Sequence, residues 1–290
     1  SRSWRTTSIR PSSARISEHA STIPRVRLLS LRDGIPSPAG PLNHGLDHAD
    51  GDFVAVAGSD DEFAPGRDRL LAPVQARTSA EMVIGRVRLA NGRTDPPYPP
   101  VRNGRRLASL DGRKDRLSYR SAPFGIVDRR RFGALRFTPA LASGEDIAYS
   151  GRIWFSGARI AYDLEGPPYI IHGDAGDRVT HAPRPVAADF GFLDAVDGAD
   201  WFTALDAPSR TAIVVKYLRM NVMDAIAVRL TDVDGFESHR RPLIGVIERL
   251  HRMSPDAFRV LSRADAMLLR AVRDEDTTVE RLHASCAPGG

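Results

Sequence analysis

Five apolar residues in a row, Phe53-Val54-Ala55-Val56-Ala57, lie between Asp50-Gly51-Asp52 and Gly58-Ser59-Asp60-Asp61. A short, continuous apolar run bounded by turn residues predicts a buried strand. Upstream, RVRLLSL (25–31) alternates well enough to predict another strand. Gly34, Pro36, Pro38 and Gly40 then mark a loop, and PLNHGLDHA predicts a short helix. Downstream, Pro65 opens a helix through GRDRLLAPVQAR, which Pro73 is expected to kink or shorten. EMVIGRVRLA predicts the next strand. Residues 90–120, with TDPPYPP at 94–100, predict a loop long enough to be a candidate substrate loop. SAPFGIVDRRRFGAL reads as strand then short helix, SGEDIAYSGRIWFSGA as helix, and RIAYDL and PPYIIHG as strands. The alternation predicts an α/β domain.

From about residue 187 the pattern becomes helical. Asp206 followed by Pro208 signals a helix start, and Ile213, Tyr217, Val222, Ile226 and Leu230 form its apolar stripe. Ser254-Pro255 signals another helix, with Leu261, Ala264, Leu268 and Ala271 as its stripe. The expected organisation is an irregular basic segment at 1–24, an α/β domain at 25–185 and a helical region at 186–290.

Composition narrows the function classes. The net charge is +5, and residues 1–25 hold five Arg against one Glu, a local +4 that leaves about +1 for the rest. All basic residues are Arg except Lys114 and Lys216. Without a basic stripe or interleaved aromatics, no nucleic-acid partner is expected. No apolar run approaches the roughly 18–20 residues that cross a membrane, and the first residues lack the apolar core of a secretory signal. Cys286 is the single cysteine, which excludes an internal disulfide framework.

Two acidic pairs carry candidate chemistry. Asp60 and Asp61 follow a strand, at the edge where open α/β sheets bind ligands. Hard carboxylate oxygens there suit Mg²⁺ or Mn²⁺ shared with substrate phosphates; equally, acids are common in turns before helices. Glu145 and Asp146 open a predicted helix, and Ser143 three residues before Asp146 also fits a capping box. His172 ends an apolar strand, a place where a lone histidine commonly serves as a structural hydrogen-bonder. His44 and His48, four apart, read as a solvated helix face, as does Arg129-Arg130-Arg131.

The run PLNHGLDHADGDFVAVAGSDDEFAPG resembles the "RNxG … A-x-G-x-[YF] … D-x-DD … P-G" succession of family 2 glycosyltransferases of the GT-A fold. ALASGEDIAYSGRIWFSGARIAY resembles that family's "(G)ED" helix and following strand. The resemblance covers about residues 25–180. It implies a GT-A-like (Rossmann-like) mixed sheet flanked by helices, with the helical C-terminal region as an extension.

Carried across by position, the resemblance implies Asp146 as general base, with Glu145 positioning acceptor or sugar. Asn43, Gly45, Ser59 and Asp60 would meet the nucleotide-sugar. Asp60, Asp61 and His172 would hold a divalent metal, Mn²⁺ or Mg²⁺. Three departures stand out: Gly58 replaces the first acid of D-x-D, Leu42 replaces an Arg, and no "VSVVIPxYN" or "VDDxSxD" run is found. The expectation is therefore a domain lacking the usual first strands.

The implied activity is metal-dependent, inverting transfer of a sugar from a nucleotide-sugar, a UDP-sugar for preference, to a hydroxyl acceptor. The acceptor would be a glycan, a lipid-linked sugar or another hydroxyl compound, in bacterial envelope or polysaccharide synthesis. The expected location is the cytoplasm, with peripheral contact at the inner membrane face left open. The competing expectation is an inactive remnant kept as a binding module.

Overall fold

The computed structural model describes residues 22, 26–91, 107–172, 184–232 and 235–286, with the main chain alone for 67–70 and 284–286. Apart from Thr22, the basic segment 1–24 lies outside the described residues, as does TDPPYPP. The chain forms two compact units, 1–181 and 182–290.

The first unit is mixed α/β. Its elements are α1 (Ala39–Asp47), β1 (Phe53–Val54), β2 (Glu62–Phe63), α2 (Arg67–Thr78), β3 (Met82–Gly85), β4 (Val87–Leu89), β5 (Gly125–Asp128), α3 (Arg129–Phe132), α4 (Glu145–Trp154), β6 (Ile160–Asp163) and β7 (Tyr169–Ile171). One sheet has the order β1-β5-β3-β6 and the other β2-β7-β4. In the first, β5 runs antiparallel to both β1 and β3, while β3 and β6 are parallel. Every residue of β3 and β6 is buried, which is why both read as continuous apolar runs. Alternation still decides the faces. Met82, Ile84, Ile160 and Tyr162 pack with Tyr149, Ile153 and Trp154 of α4. Val83 and Ala161 pack with Leu71 and Val74 of α2.

The structure revises several sequence expectations here. EMVIGRVRLA is two strands, since the chain leaves one sheet at Arg86 and enters the other. The five-residue apolar run yields only the two-residue β1, which has β5 on one side at the end of its sheet. Val56 instead packs against the core. The described part of 25–31 is irregular, with Leu28 and Leu31 exposed; alternation becomes a strand only where a neighbouring strand takes up its hydrogen bonds. Helix α2 continues through Pro73, held by Leu71 and Val74 buried on either side of it. The second half of the long loop folds onto β6: Leu110 donates to Ile160 (2.8 Å) and Tyr162 donates to Leu107 (2.7 Å). The arginine run is a set of struts, with Arg129 on the Gly51 carbonyl, Arg130 on Asp52 and Arg131 on Glu81.

The second unit is helical: α5 (Val186–Asp189), α6 (Asp200–Thr203), α7 (Ala207–Lys216), α8 (Met223–Arg229), α9 (Glu237–Met253), α10 (Arg263–Arg273) and α11 (Val279–Cys286). Asp206 caps α7 by accepting from the Ser209 N–H at 2.9 Å. The stripe Ile213, Tyr217, Val222, Ile226 and Leu230 is buried throughout. Its one five-residue step, Tyr217 to Val222, falls on a π-helical segment at Tyr217–Val222 that joins α7 to α8. The wider turn absorbs the extra residue and keeps the stripe in phase. The helix expected from Ser254 is instead a 3₁₀ turn at Pro255–Arg259 followed by α10, newly capped by Ser262. This restart shifts the buried stripe to Leu269 and Val272, one residue away from the expected Leu268 and Ala271. Among the described residues, no helix is long and apolar enough to cross a membrane.

Gly125 lies opposite Ile84, where a Cβ would stand 1.9 Å from the Val83 carbonyl oxygen. Gly125→Ala should therefore push β5 off β3 and cost about 2 kcal/mol or more, lowering the thermal midpoint by several degrees. Gly245, in α9, has nothing within 4 Å of its Cβ position. Gly245→Ala should stabilise its helix by about 0.5–1 kcal/mol. Circular-dichroism melts of both variants check the contrast.

Candidate functional site

The turn Gly58–Asp61 runs from β1 in one sheet to β2 in the other. Strands β1, β3 and β6 run the same way, and this turn follows the carboxyl end of β1, the edge at which α/β sheets usually bind ligands. Asp61 is half-buried and both its oxygens are engaged by β7 and the residue after it. Oδ2 accepts from the Tyr169 hydroxyl at 2.7 Å and Oδ1 from the His172 N–H at 3.1 Å. The same hydroxyl accepts from the Gly58 N–H at 2.7 Å. Burial, and then the bond to Asp61, raise the Tyr169 pKa well beyond the ordinary phenol value, so the hydroxyl keeps its proton. Ser59 and Asp60 are exposed at the apex.

Gly58 explains its own departure from the D-x-D pattern. A Cβ at this position would lie 2.8 Å from Asp61 Oδ2 and 3.0 Å from Asp60 Oδ1. The two carboxylates therefore crowd Gly58, and a side chain there would displace them. Two adjacent carboxylates at this edge could serve a small divalent cation that completes its shell with phosphate oxygens and water. Among the described residues, no three acid, histidine or cysteine side chains form a metal-holding group. The His172 ring lies 3.5 Å from Glu62, and its contact with Asp61 is through the backbone. The fit thus rests on Asp60 and Asp61, with His172 supporting Asp61.

The second acid pair opens α4. Its N-cap is Gly144, in the left-handed region at φ 79°, with no side-chain cap. The capping-box alternative for Ser143 and Asp146 is therefore not realised. Burial, and then the neighbouring charge of Asp146, raise the Glu145 pKa to about 7. A carboxyl group poised there can hold or release a proton near neutrality. Below this turn, α4 is anchored by Trp154, whose Nε1 donates to the Arg120 carbonyl at 2.9 Å. The ring of Tyr149 stacks on Phe137 at 4.3 Å.

Asn43 has a structural partner. Its side-chain amide is paired with the backbone of Phe137, donating to the carbonyl at 2.9 Å and accepting from the N–H at 2.8 Å. The next residue, Thr138, donates to the Glu145 carbonyl at 2.9 Å. Asp47 of α1 holds Arg136 beside it. Helix α1 thus fixes the segment that carries the chain into the Glu145–Asp146 turn. Leu42 turns into the core, and Gly45 is half-buried within α1. The spacing of Tyr169 and Phe137 in the sequence held no signal for these contacts, which join residues about a hundred positions apart.

An open cleft of about 450 Å³ is lined by Ser79, Glu81, Ser109, Gly157, Ala158 and Arg159. It lies where the chain enters β3 and β6, at the edge opposite to the Gly58–Asp61 turn. Its carboxylate, Glu81, is held by Arg131 and by the Arg159 N–H.

Known proteins resemble the chain in sequence and in fold. Residues 8–135 match the Glycosyl transferase family 2 description. A curated relative, the succinoglycan biosynthesis protein ExoO of Rhizobium meliloti (strain 1021), is 30% identical over 193 residues, 60% of this chain. The chain spans 55% of that relative's length. Crystal structures of S. aureus TarS 1–349 share the fold. The complex with UDP-GlcNAc superposes with a TM-score of 0.74 at 15% identity, covering 94% of this chain and 78% of the other. The complex with UDP gives 0.70 at 15% identity, covering 94% and 77%. With its mixed sheets flanked by helices in the GT-A manner, the chain shares the fold of these structures, and residues 8–135 match glycosyl transferase family 2.

Proposed function

We propose that this chain transfers a sugar from a nucleotide-sugar, a UDP-sugar for preference, to a hydroxyl acceptor in bacterial polysaccharide or envelope synthesis. The observation that carries the proposal is the acid pair in the turn that follows β1, with Asp60 exposed and Asp61 held by Tyr169 and His172. The named function of the succinoglycan relative and the UDP ligands of the TarS crystals support the substrate class.

Asp146 is the general base. It takes the proton of the acceptor hydroxyl as that oxygen bonds to the anomeric carbon, while the bond to the diphosphate breaks and its electron pair leaves with the phosphate. A single displacement of this kind inverts the anomeric configuration. Asp60, with Asp61, would hold Mn²⁺ or Mg²⁺, which when bound supplies positive charge for the departing diphosphate. Ser59, at the same apex, lies within the donor-binding turn. Glu145, with its pKa near neutrality, can donate a hydrogen bond to a sugar or acceptor hydroxyl while Asp146 remains the base. Asn43 holds Phe137 and Thr138 in place, and so sets where the acid pair stands.

UDP should bind the wild-type protein in calorimetry only when Mn²⁺ is present, and Asp60→Ala should abolish that binding with the fold unchanged. Binding that ignores Mn²⁺ or survives Asp60→Ala would overturn the donor-site assignment. Asp146→Asn should leave UDP binding intact and lower turnover about 10²–10⁴-fold; full turnover would remove its role as base.

The raised Glu145 pKa also sets a pH dependence. The folded protein holds this proton up to about pH 7, whereas the unfolded chain releases it near 4.5. The contribution to stability is therefore complete below about pH 4.5 and is lost as the pH rises towards 7. Urea unfolding at pH 5 and pH 8 should show Glu145→Gln gaining on the wild type at the higher pH, by on the order of 1–3 kcal/mol. Equal differences at both pH values would mean that the carboxyl is solvated.

A further inference from the structure

We propose that Tyr169 is a positioning residue for the diphosphate end of the donor site. Its hydroxyl closes the Gly58–Asp61 turn and fixes the Asp61 carboxylate beside the exposed Asp60. This rests on the reading of that turn as the metal and diphosphate site.

The turn does not close itself well. Its own backbone hydrogen bond, from the Asp61 N–H to the Gly58 carbonyl, is 3.5 Å long, at the outer limit for such a bond. The Tyr169 hydroxyl bridges the same two residues with two contacts of 2.7 Å. The direction of both is fixed. The Gly58 N–H can only donate, so the phenol oxygen accepts from it, and the single phenol hydrogen is left for Asp61 Oδ2. Asp61 then receives a bond that fixes the rotation of its carboxylate, with the His172 N–H holding the other oxygen.

The phenol itself is immobilised. Tyr169 is fully buried and lies in the central strand of its sheet, paired with Phe63 on one side and Val87 on the other. Phe124 stacks on its ring at 4.2 Å and Phe63 meets it edge-on at 5.4 Å. A rigid strand thus presents one hydroxyl to a turn whose apex must keep Ser59 and Asp60 exposed. Gly58 completes the device, since a side chain there would push on the Asp61 oxygen that the phenol holds. Where the family pattern has a third acid, this chain has a glycine, and the order of the turn comes from across the sheet.

The test is the Mn²⁺ concentration that half-saturates UDP binding, measured by calorimetry in the wild type, Tyr169→Phe, Asp61→Asn and the double variant. Tyr169→Phe keeps the ring and its stacking. It should raise the midpoint about tenfold, as expected for a lost hydrogen bond to a charged group, with an unchanged near-ultraviolet spectrum. The losses in Tyr169→Phe and Asp61→Asn should not multiply in the double variant, because Tyr169 acts on the cation only through the Asp61 carboxylate. Gly58→Ala, which leaves β7 untouched, should move the midpoint in the same direction. An unchanged midpoint in Tyr169→Phe, or fully multiplying losses, would overturn the inference while leaving the donor site standing. Wild-type protein that binds no UDP in saturating Mn²⁺ would overturn the donor-site reading, and this inference with it.

Discussion

The first unit depends on how one carboxylate, that of Asp61, is held. Among the described residues, successive strands change sheet five times; the crossing at Arg86 is a single residue between two paired strands, while that at Gly58–Asp61 is a longer turn. The Gly58–Asp61 crossing has no such brevity to keep it in place. It is held by β7, which offers the Tyr169 hydroxyl and the His172 N–H to the two oxygens of Asp61. An acid in a turn usually has its own backbone as partner; here the partner is a strand more than a hundred residues away.

This division of labour separates two neighbouring acids that the sequence presents as equivalents. Asp61 is half-buried, and its oxygens already accept two hydrogen bonds; Asp60 is exposed at the apex. A half-buried carboxylate accepting fixed donors is a good strut and a constrained ligand, whereas an apical one can follow a cation and its phosphates. The same logic applies to the second pair. Glu145 is desolvated enough to stay partly protonated near neutrality, and the charge of Asp146 reinforces that. Placing two acids side by side thus gives each a different task, set by surroundings rather than by residue type.

Much of this was legible in the sequence, and for identifiable reasons. Local signals survived: the helix containing Asn43 and the Asp206 cap depend on neighbours close in the chain, and the strands Met82–Gly85 and Ile160–Asp163 announce their burial as continuous apolar runs. The five-residue step from Tyr217 to Val222 was present as a break in a four-residue rhythm, and it marks the π segment. What could not be read locally was anything set by a distant partner. Residues 25–31 alternate like a strand, yet an alternating segment has no means of stating whether a neighbour will pair with it. The helix start at Ser262 competes with the signal at Ser254-Pro255, and one residue of phase moved the buried stripe.

Asn43 shows how a motif residue can also carry a structural task. Its position, one helix before the apolar run, belongs to a pattern associated with the donor. Yet both polar atoms of its side chain meet the backbone of Phe137, as a strand neighbour would. Through Thr138 the effect reaches the Glu145 carbonyl, and through Phe137 it reaches the ring of Tyr149 one turn further along α4. A buried amide that completes a backbone pair is costly to replace, because any other side chain leaves an N–H or a carbonyl unsatisfied. That requirement is sufficient to explain an asparagine here without any contact to substrate. It links α1 to the acid turn by hydrogen bonds that add to the packing of Leu42 and Leu46 in the same core, so a change in α1 bears on the placement of the proposed base.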